Sequence, residues 1–429
     1  MTYVFSFFVL IAFSVTAWRQ WQWTGDALDK APMHLLGLGM IETAGSAVTL
    51  ALGLIGVMAL FLGLMKIAEK GGLLSVLAKL LRPLMIRLFP EVPQNHPAMG
   101  AMIMNLSANA LGLGNAATPF GIKAMQELDQ LNPNKGTATD PMILFLAINT
   151  SSVTLLPTGI IALRAAAGSN DPAGILPTTL FATLLSTTIA ILSAKLLSKW
   201  YRSSSGIGEA PRNAGQTTVM ANETEDLSGQ GYPLWISSMA LFALVMLIPL
   251  TVIYGTHLAP WIIPGLMVSF LIYGLIKNVP VYETFVEGAE EGFKVAVRII
   301  PYLVAILVAV GMLRNSGALN IFVNWAGSIT SQFGLPGDAL PMALLRPLSG
   351  SGAYGIVAAT INDPAIGPDS YTGYLVSTLQ GSTETTFYVL AVYFGAVQIK
   401  RIRYALAVAL TADFAGITGA ILACSYLFG

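Results

Sequence analysis

The chain has 429 residues, 55% of them hydrophobic and only 10% charged, less than half the charged share of an ordinary soluble domain, so composition alone points to a membrane protein. Its 22 Lys and Arg balance 22 Asp and Glu, which leaves no basic excess for nucleic acid and no acidic excess for a cationic partner. A single cysteine, Cys424, excludes a disulfide framework and a multi-thiolate metal site, and no HExxH, P-loop, GxGxxG or GxSxG spacing occurs, so neither an enzyme nor a metal centre is expected.

Helix-length apolar runs occupy residues 3–18, 48–65, 175–197, 234–254, 261–276, 299–313 and 404–428. Several are shorter than the ~20 residues that cross a hydrocarbon core, so their flanks must contribute. The first run follows no Lys or Arg and precedes no small-residue cleavage site, and it reads as a retained helix rather than a secretory signal. Residues 203–231 are rich in Gly, Ser, Asn, Gln and Glu and read as a solvated linker. The expected organisation is a first unit over 1–202, the linker over 203–231, a connecting transmembrane helix over 232–254 and a second unit over 255–429.

The two units repeat one series of elements. Gly71-Gly72-Leu73 opens an amphipathic stretch in the first, and Ser316-Gly317-Ala318 opens one in the second. Each is followed by a Gly-rich polar break, at 105–119 and 346–355, and then by an apolar segment interrupted at 149–154 or 381–386. A final apolar helix closes each unit. Lys79, Arg82 and Arg87 make the first amphipathic stretch basic, with Lys66 and Lys70 just before it, whereas its counterpart over 315–336 has no Lys or Arg. By the positive-inside rule the two stretches face opposite sides, with the N-terminus cytoplasmic and the C-terminus extracytoplasmic. The fold class expected is an all-α membrane protein of two inverted-topology repeats, with re-entrant helical hairpins, broken transmembrane helices and about nine spanning segments.

Chain that leaves helical geometry at membrane depth must find partners in protein or in a wet cavity, because lipid offers none. The candidate site residues therefore lie at the breaks. Asn105 and Asn109 share a helix face, Asn115 and Thr118 flank the first hairpin tip, and Pro119 is suited to start the next helix. Asn149, Thr150 and Ser151 sit at the first interrupted helix. In the second unit Arg346, Ser349 and Ser351 form a tip whose N–H groups and guanidinium suit an anionic or electron-rich group, unless Arg346 pairs with Asp363 or Asp369. Gln380, Ser382, Thr383 and Glu384 occupy the last break. An ionised Glu384 at mid-bilayer costs about 2.5–3.5 kcal/mol, so a proton, a Na+ ion or Arg346 must compensate it. Asp413 in the final helix is the second ion-coupling candidate, either facing the cavity or capping a half-helix. Glu283, Glu287, Glu290 and Glu291 read as a solvated face, and His34, His96 and His257 carry no role.

At these breaks the sequence resembles the spore maturation proteins. Residues 65–168, with Phe89-Pro90-Glu91-Val92-Pro93 and the Asn105 to Asn109 and 111–119 motifs, look like spore maturation protein A. From Pro280 onward, Arg346-Pro347-Leu348-Ser349-Gly350-Ser351-Gly352, Gly367-Pro368-Asp369-Ser370 and 380–388 look like spore maturation protein B. These proteins resemble the wider group with the nucleoside-recognition or Gate domain, shared with concentrative nucleoside transporters and the membrane part of the ferrous-iron transporter. The resemblance implies paired hairpins and broken helices around a central site. This chain departs from the pattern in joining the two through residues 203–254.

The expected function is secondary transport of a small polar or anionic solute, nucleoside-like compounds included, by alternating access around a midplane site in a bacterial plasma membrane. Beyond a coupling proton or Na+ no cofactor is expected. Partners are the solute and the bilayer, with homo-oligomers compatible and nucleic acid not. The alternative is a non-transporting envelope protein that recruits or stabilises a partner, with Arg346 and Glu384 simply paired.

Overall fold

A computed structural model describes residues 2–25, 30–112, 114–204 and 231–429. The linker expected over 203–231 lies almost wholly outside them, as does the side chain of Asn115. The described chain is helical, with one isolated bridge, Thr137 to Arg401. In the first half, α1 (Thr2–Gln22) and α2 (Pro32–Lys70) lead to α3 (Leu73–Leu88). There follow a hairpin of α4 (Pro97–Ala110) and α5 (Gly114–Gln130), an interrupted helix of α6 (Asp140–Thr150) and α7 (Thr158–Ala166), and α8 (Leu176–Ser204). In the second half, α9 (Leu234–Ile276) and α10 (Val281–Ser316) lead to α11 (Ala318–Thr330). Then come the hairpin of α12 (Leu340–Leu345) and α13 (Gly350–Ile361), the interrupted helix of α14 (Tyr371–Ser382) and α15 (Thr386–Ala396), and α16 (Ala405–Phe428).

Local chemistry sets these boundaries. Gly72 (φ 84°) and Gly317 (φ 79°) adopt the left-handed conformation that ends α2 and α10 and turns the chain into the amphipathic helices. Side chains cap the starts of the paired elements: Thr139 accepts from Met142 N–H, Ser370 from Gly373 N–H and Ser349 from Gly352 N–H. The breaks are tighter than the sequence suggests. Helix α4 runs to Ala110 and α5 starts at Gly114, so Pro119 lies inside α5 rather than at its start. Its missing N–H forfeits one helix bond. In the second hairpin only 346–349 separate α12 from α13.

Two helices among the described residues, Leu176–Tyr201 and Ala405–Phe428, have the length and apolarity of a membrane span. The runs expected at 48–65 and 299–313 are parts of longer helices, α2 and α10, and those at 234–254 and 261–276 are one element, α9. Helix α9 is not straight. Ser237 Oγ donates to the Leu80 carbonyl at 2.7 Å, and the Tyr273 hydroxyl to the Gly71 carbonyl at 3.0 Å, which puts both ends beside α3. A straight helix of 43 residues would measure ~64 Å, against ~24 Å for α3, so α9 bends back between them. Pro249, Pro260 and Pro264 each withhold an N–H from its ladder.

The halves are bound through matching elements. Helices α2 and α10 pair along their length, with Thr43 beside Gly311, Ala59 beside Gly292, Lys66 on Glu291 at 3.1 Å and Lys70 on Glu287 at 2.5 Å. That order makes them antiparallel, and it sets two of the glutamates expected on a solvated face against α2. Helices α8 and α16 are antiparallel too, since Ala182 meets Gly419, Ser186 Oγ donates to the Ala412 carbonyl at 2.7 Å and Ser193 meets Thr411. Lipid tails are as apolar as side chains, so such contacts depend on close van der Waals packing. Small residues permit it: a Cβ on Gly292 would lie 2.7 Å from the Ala59 Cα, and one on Gly288 2.5 Å from the Leu62 carbonyl oxygen.

Interlocking cores complete the assembly. Met102 and Phe145 of the first half pack in one cluster with Val389, Tyr393 and Ala409 of the second. Ile356 and Leu375 pack in another with Leu163 and Ala182 of the first. An ideal Cβ on Gly311 stands 3.5 Å from the Thr43 Cβ, within disulfide range. Oxidation is therefore expected to cross-link Thr43→Cys with Gly311→Cys, but not Thr43→Cys with Gly292→Cys. A protease site placed in the 203–231 linker makes the bond visible as halves that stay together on a denaturing gel.

Candidate functional site

Both interrupted helices stop where hydroxyl side chains and extended backbone take over from the helix ladder. Thr150 and Ser151 turn their hydroxyls back on the Ala147 carbonyl, each at 2.9 Å, and α7 restarts only after Pro157. In the second half Ser382 bonds the Leu379 carbonyl at 2.9 Å, and Thr383 is fully extended before α15 restarts. The two interruptions touch: the Glu384 N–H donates to the Thr150 carbonyl at 2.8 Å. Other freed groups are also satisfied, with Leu155 N–H on the Ala110 carbonyl, Thr187 Oγ1 on the Ser151 carbonyl and Phe387 N–H on the Pro347 carbonyl. Each hairpin tip is thereby tied to an interrupted helix.

Arg346 leaves the end of α12 and enters this junction. Its Nη1 donates to Thr385 Oγ1 at 3.0 Å, its Nη2 to the Thr383 carbonyl, and Nη2 stands 3.6 Å from Glu384 Oε2. The side chain of Glu384 is 49% exposed and that of Arg346 only 6%, so the guanidinium is set in the wall while the carboxylate stands free of it. Asp363 and Asp369, the other partners considered for Arg346, are held by Arg314 at 2.9 Å and Arg164 at 3.0 Å. Asp413 lies buried behind the break, accepting from Thr386 Oγ1 at 2.7 Å through one oxygen, while the other has no partner among the described residues.

A cavity of about 390 Å³ opens where these pieces meet. It is lined by Asn109 and Gly112 of the first tip, Thr154 and Leu156 to Ile160 around the first break, Arg346, Gly350, Ser351 and Tyr354 of the second tip, and Gln380, Gly381, Glu384 and Thr385 of the second break, with Met58 from α2. All four interruptions thus share one space. Of the residues singled out from sequence, Asn109, Arg346, Ser351, Gln380 and Glu384 line it.

Asn115 lies outside the described side chains, and the rest stand behind the wall. Asn105 donates to the Ala117 carbonyl at 2.8 Å and to the Tyr393 hydroxyl at 3.1 Å. That hydroxyl donates to Asn149 Oδ1 at 3.3 Å, which also accepts from Asn109 Nδ2 at 3.0 Å. The chain of amides braces the first tip against α6 and α15. Thr150, Ser151, Ser382 and Thr383 are consumed in ending helices or receiving Arg346, and Ser349 caps α13. Thr118 sits on α5 away from the lining.

Sequence reasoning missed two ion pairs that join the halves at opposite ends of the interrupted helix α6–α7. At the α6 start, Arg403 Nη1 reaches Asp140 Oδ1 at 2.7 Å, and the Tyr404 hydroxyl the same oxygen at 2.8 Å. At the α7 end, fully buried Arg164 reaches Asp369 Oδ1 at 3.0 Å and the Pro368 carbonyl at 2.6 Å, and lies over the Tyr374 ring at 4.1 Å. An arginine inside the apolar segment Ile160-Ile161-Ala162-Leu163-Arg164 was the available signal, by the argument applied to Glu384.

Comparison with known proteins finds matches to both parts of the chain. Residues 51–167 and 296–400, together just over half of the chain, match the Gate family, described as nucleoside recognition. The chain is 48% identical over 167 residues to spore maturation protein B of Bacillus subtilis (strain 168), an alignment covering 39% of this chain and 93% of that protein. It is 50% identical over 166 residues to spore maturation protein A of the same organism, covering 39% of this chain and 85% of that protein. No solved structure matches. Gate and spore maturation proteins are membrane proteins and not known enzymes. The chain therefore belongs to the Gate nucleoside-recognition family of membrane proteins, and its two matches are those expected of a fusion of spore maturation proteins A and B.

Proposed function

We propose that this chain is a secondary-type transporter of a small polar solute, which binds at the junction of the four interruptions and is released to either side by alternating access. The observation that carries the reading is the meeting of both broken helices, Glu384 N–H on the Thr150 carbonyl, beside a cavity that both hairpin tips also line. Membrane proteins tolerate non-helical backbone at depth where it surrounds a ligand path. The antiparallel pairing of α2 with α10 and of α8 with α16 supports two inverted repeats, over 1–202 and 255–429, with the start of α9 as the connecting span. Charge placement favours a cytoplasmic N-terminus.

The two cross-half ion pairs supply gates. Arg403 with Asp140 holds one end of α6–α7 to the second half, and Arg164 with Asp369 holds the other end. Opening one pair while the other stays closed exposes the cavity to one side at a time. Coupling to a proton or Na+ is assigned to Glu384, which stands in the cavity, with buried Asp413 as the second carboxylate on the same path. The 3.6 Å approach of Arg346 to Glu384 is what favours the alternative, a non-transporting protein whose pair is structural.

Counterflow in proteoliposomes separates the two. The transporter reading expects saturable exchange of a polar metabolite that falls about tenfold or more in Glu384→Gln, with altered pH or Na+ dependence. Unchanged exchange in the variant removes Glu384 from the mechanism, and no exchange of any solute removes the transporter reading. At the gate, Asp369→Ala leaves buried Arg164 without its carboxylate and is expected to cost about 3–5 kcal/mol. A thermal scan checks this, and Arg164→Ala combined with Asp369→Ala should cost less than the sum of the single changes.

A further inference from the structure

The cavity carries two opposite charges and is not uniformly of either sign. We infer that its solute is a small zwitterion with one carboxylate and one protonated primary amine, of the amino-acid class; this rests on the reading of the cavity as a solute site. The donor set is on one side of the lining. Arg346 reaches the cavity with its Nε unpartnered among the described residues, and α13 begins there with Gly350 and Ser351, whose first-turn N–H groups no carbonyl of their own helix can accept. A carboxylate matches these groups in charge and in the planar geometry of a guanidinium.

The acceptor set is adjacent. Glu384 presents a half-exposed carboxylate, and Gln380, more than nine-tenths buried, lines the same cavity with a side-chain oxygen that has no partner among the described residues. A primary ammonium offers three donors, enough for both. Met58, Leu156, Pro157 and Ile160 give the remaining wall an apolar face, suited to an aliphatic side chain.

Charge balance narrows the class. Arg346 and Glu384 sum to zero and stand 3.6 Å apart, longer than the 2.7–2.9 Å of a closed charge-assisted bond, so each keeps capacity for a partner. A divalent cation would face the guanidinium, and a simple anion would face the carboxylate. Either alone, without a coupling ion on Glu384, would leave one charge of the pair uncompensated, whereas a zwitterion answers both.

Calorimetric titration of the purified full chain with four probes tests this: L-leucine, L-leucinamide (amine only), 4-methylpentanoate (carboxylate only) and uridine (neither charge). L-Leucine is expected to bind at least about tenfold more tightly than either single-charge analogue, since each lost charged contact removes at least one such factor. Glu384→Gln should erase the advantage of L-leucine over 4-methylpentanoate while keeping that over L-leucinamide, a pattern that loss of folding cannot produce. Equal binding of a single-charge analogue, or binding of uridine with none of L-leucine, overturns the inference. Counterflow of uridine without amino-acid exchange would do so while leaving transport intact, and binding of L-leucine without any counterflow would end the transport reading while leaving the zwitterion site.

Discussion

Main-chain N–H and C=O groups freed where the helices of a membrane protein break need partners within the protein, and the hydrogen bond from Glu384 N–H to the Thr150 carbonyl joins the breaks of both halves at once. Around it Arg346 binds the Thr383 carbonyl and Thr385, and the Pro347 carbonyl receives Phe387 N–H. The broken helices can cross only because each supplies partners the other lacks. A space lined by polar ends of several helices is the consequence of that crossing, and the charged pair Arg346 and Glu384 stands at its edge.

The crossing also explains why the halves are interlocked and do not merely touch. Helices α15 and α16 complete the core under the first hairpin, and α7 and α8 complete the core under the second. Neither half would bury its own hairpin alone. Glycine and alanine between α2 and α10 and between α8 and α16 let the backbones approach closely, which is the main source of attraction where no water is expelled. Two ion pairs, Arg403–Asp140 and Arg164–Asp369, also join the halves.

Much of this was legible in the sequence because polar runs inside apolar segments have few physical explanations. The breaks, the matched order of elements and the charge of Glu384 follow from composition and spacing alone. What the sequence withheld depended on tertiary partners. Asn105, Asn109 and Asn149 look alike as residues, yet only Asn109 lines the cavity, because Tyr393 of the other half takes up Asn105 and Asn149. The breaks are shorter than their polar runs because Ser349 caps a helix and Asn105 continues one. Asp369 could be singled out as an acid near Arg346, but its pairing with Arg164 needed the fold, and the return of α9 on itself needed the contacts with α3.

The central claim is that the meeting of the four interruptions encloses a water-accessible chamber that opens to each side in turn. Cysteine accessibility at the chamber wall tests it most directly, since native Cys424 is fully buried and out of reach of the reagent. With Thr158→Cys in oriented vesicles, the account predicts labelling by a membrane-impermeant maleimide from both faces, with an added transported solute shifting the balance between them. Labelling from neither face, or from one face alone whatever solute is present, would contradict it.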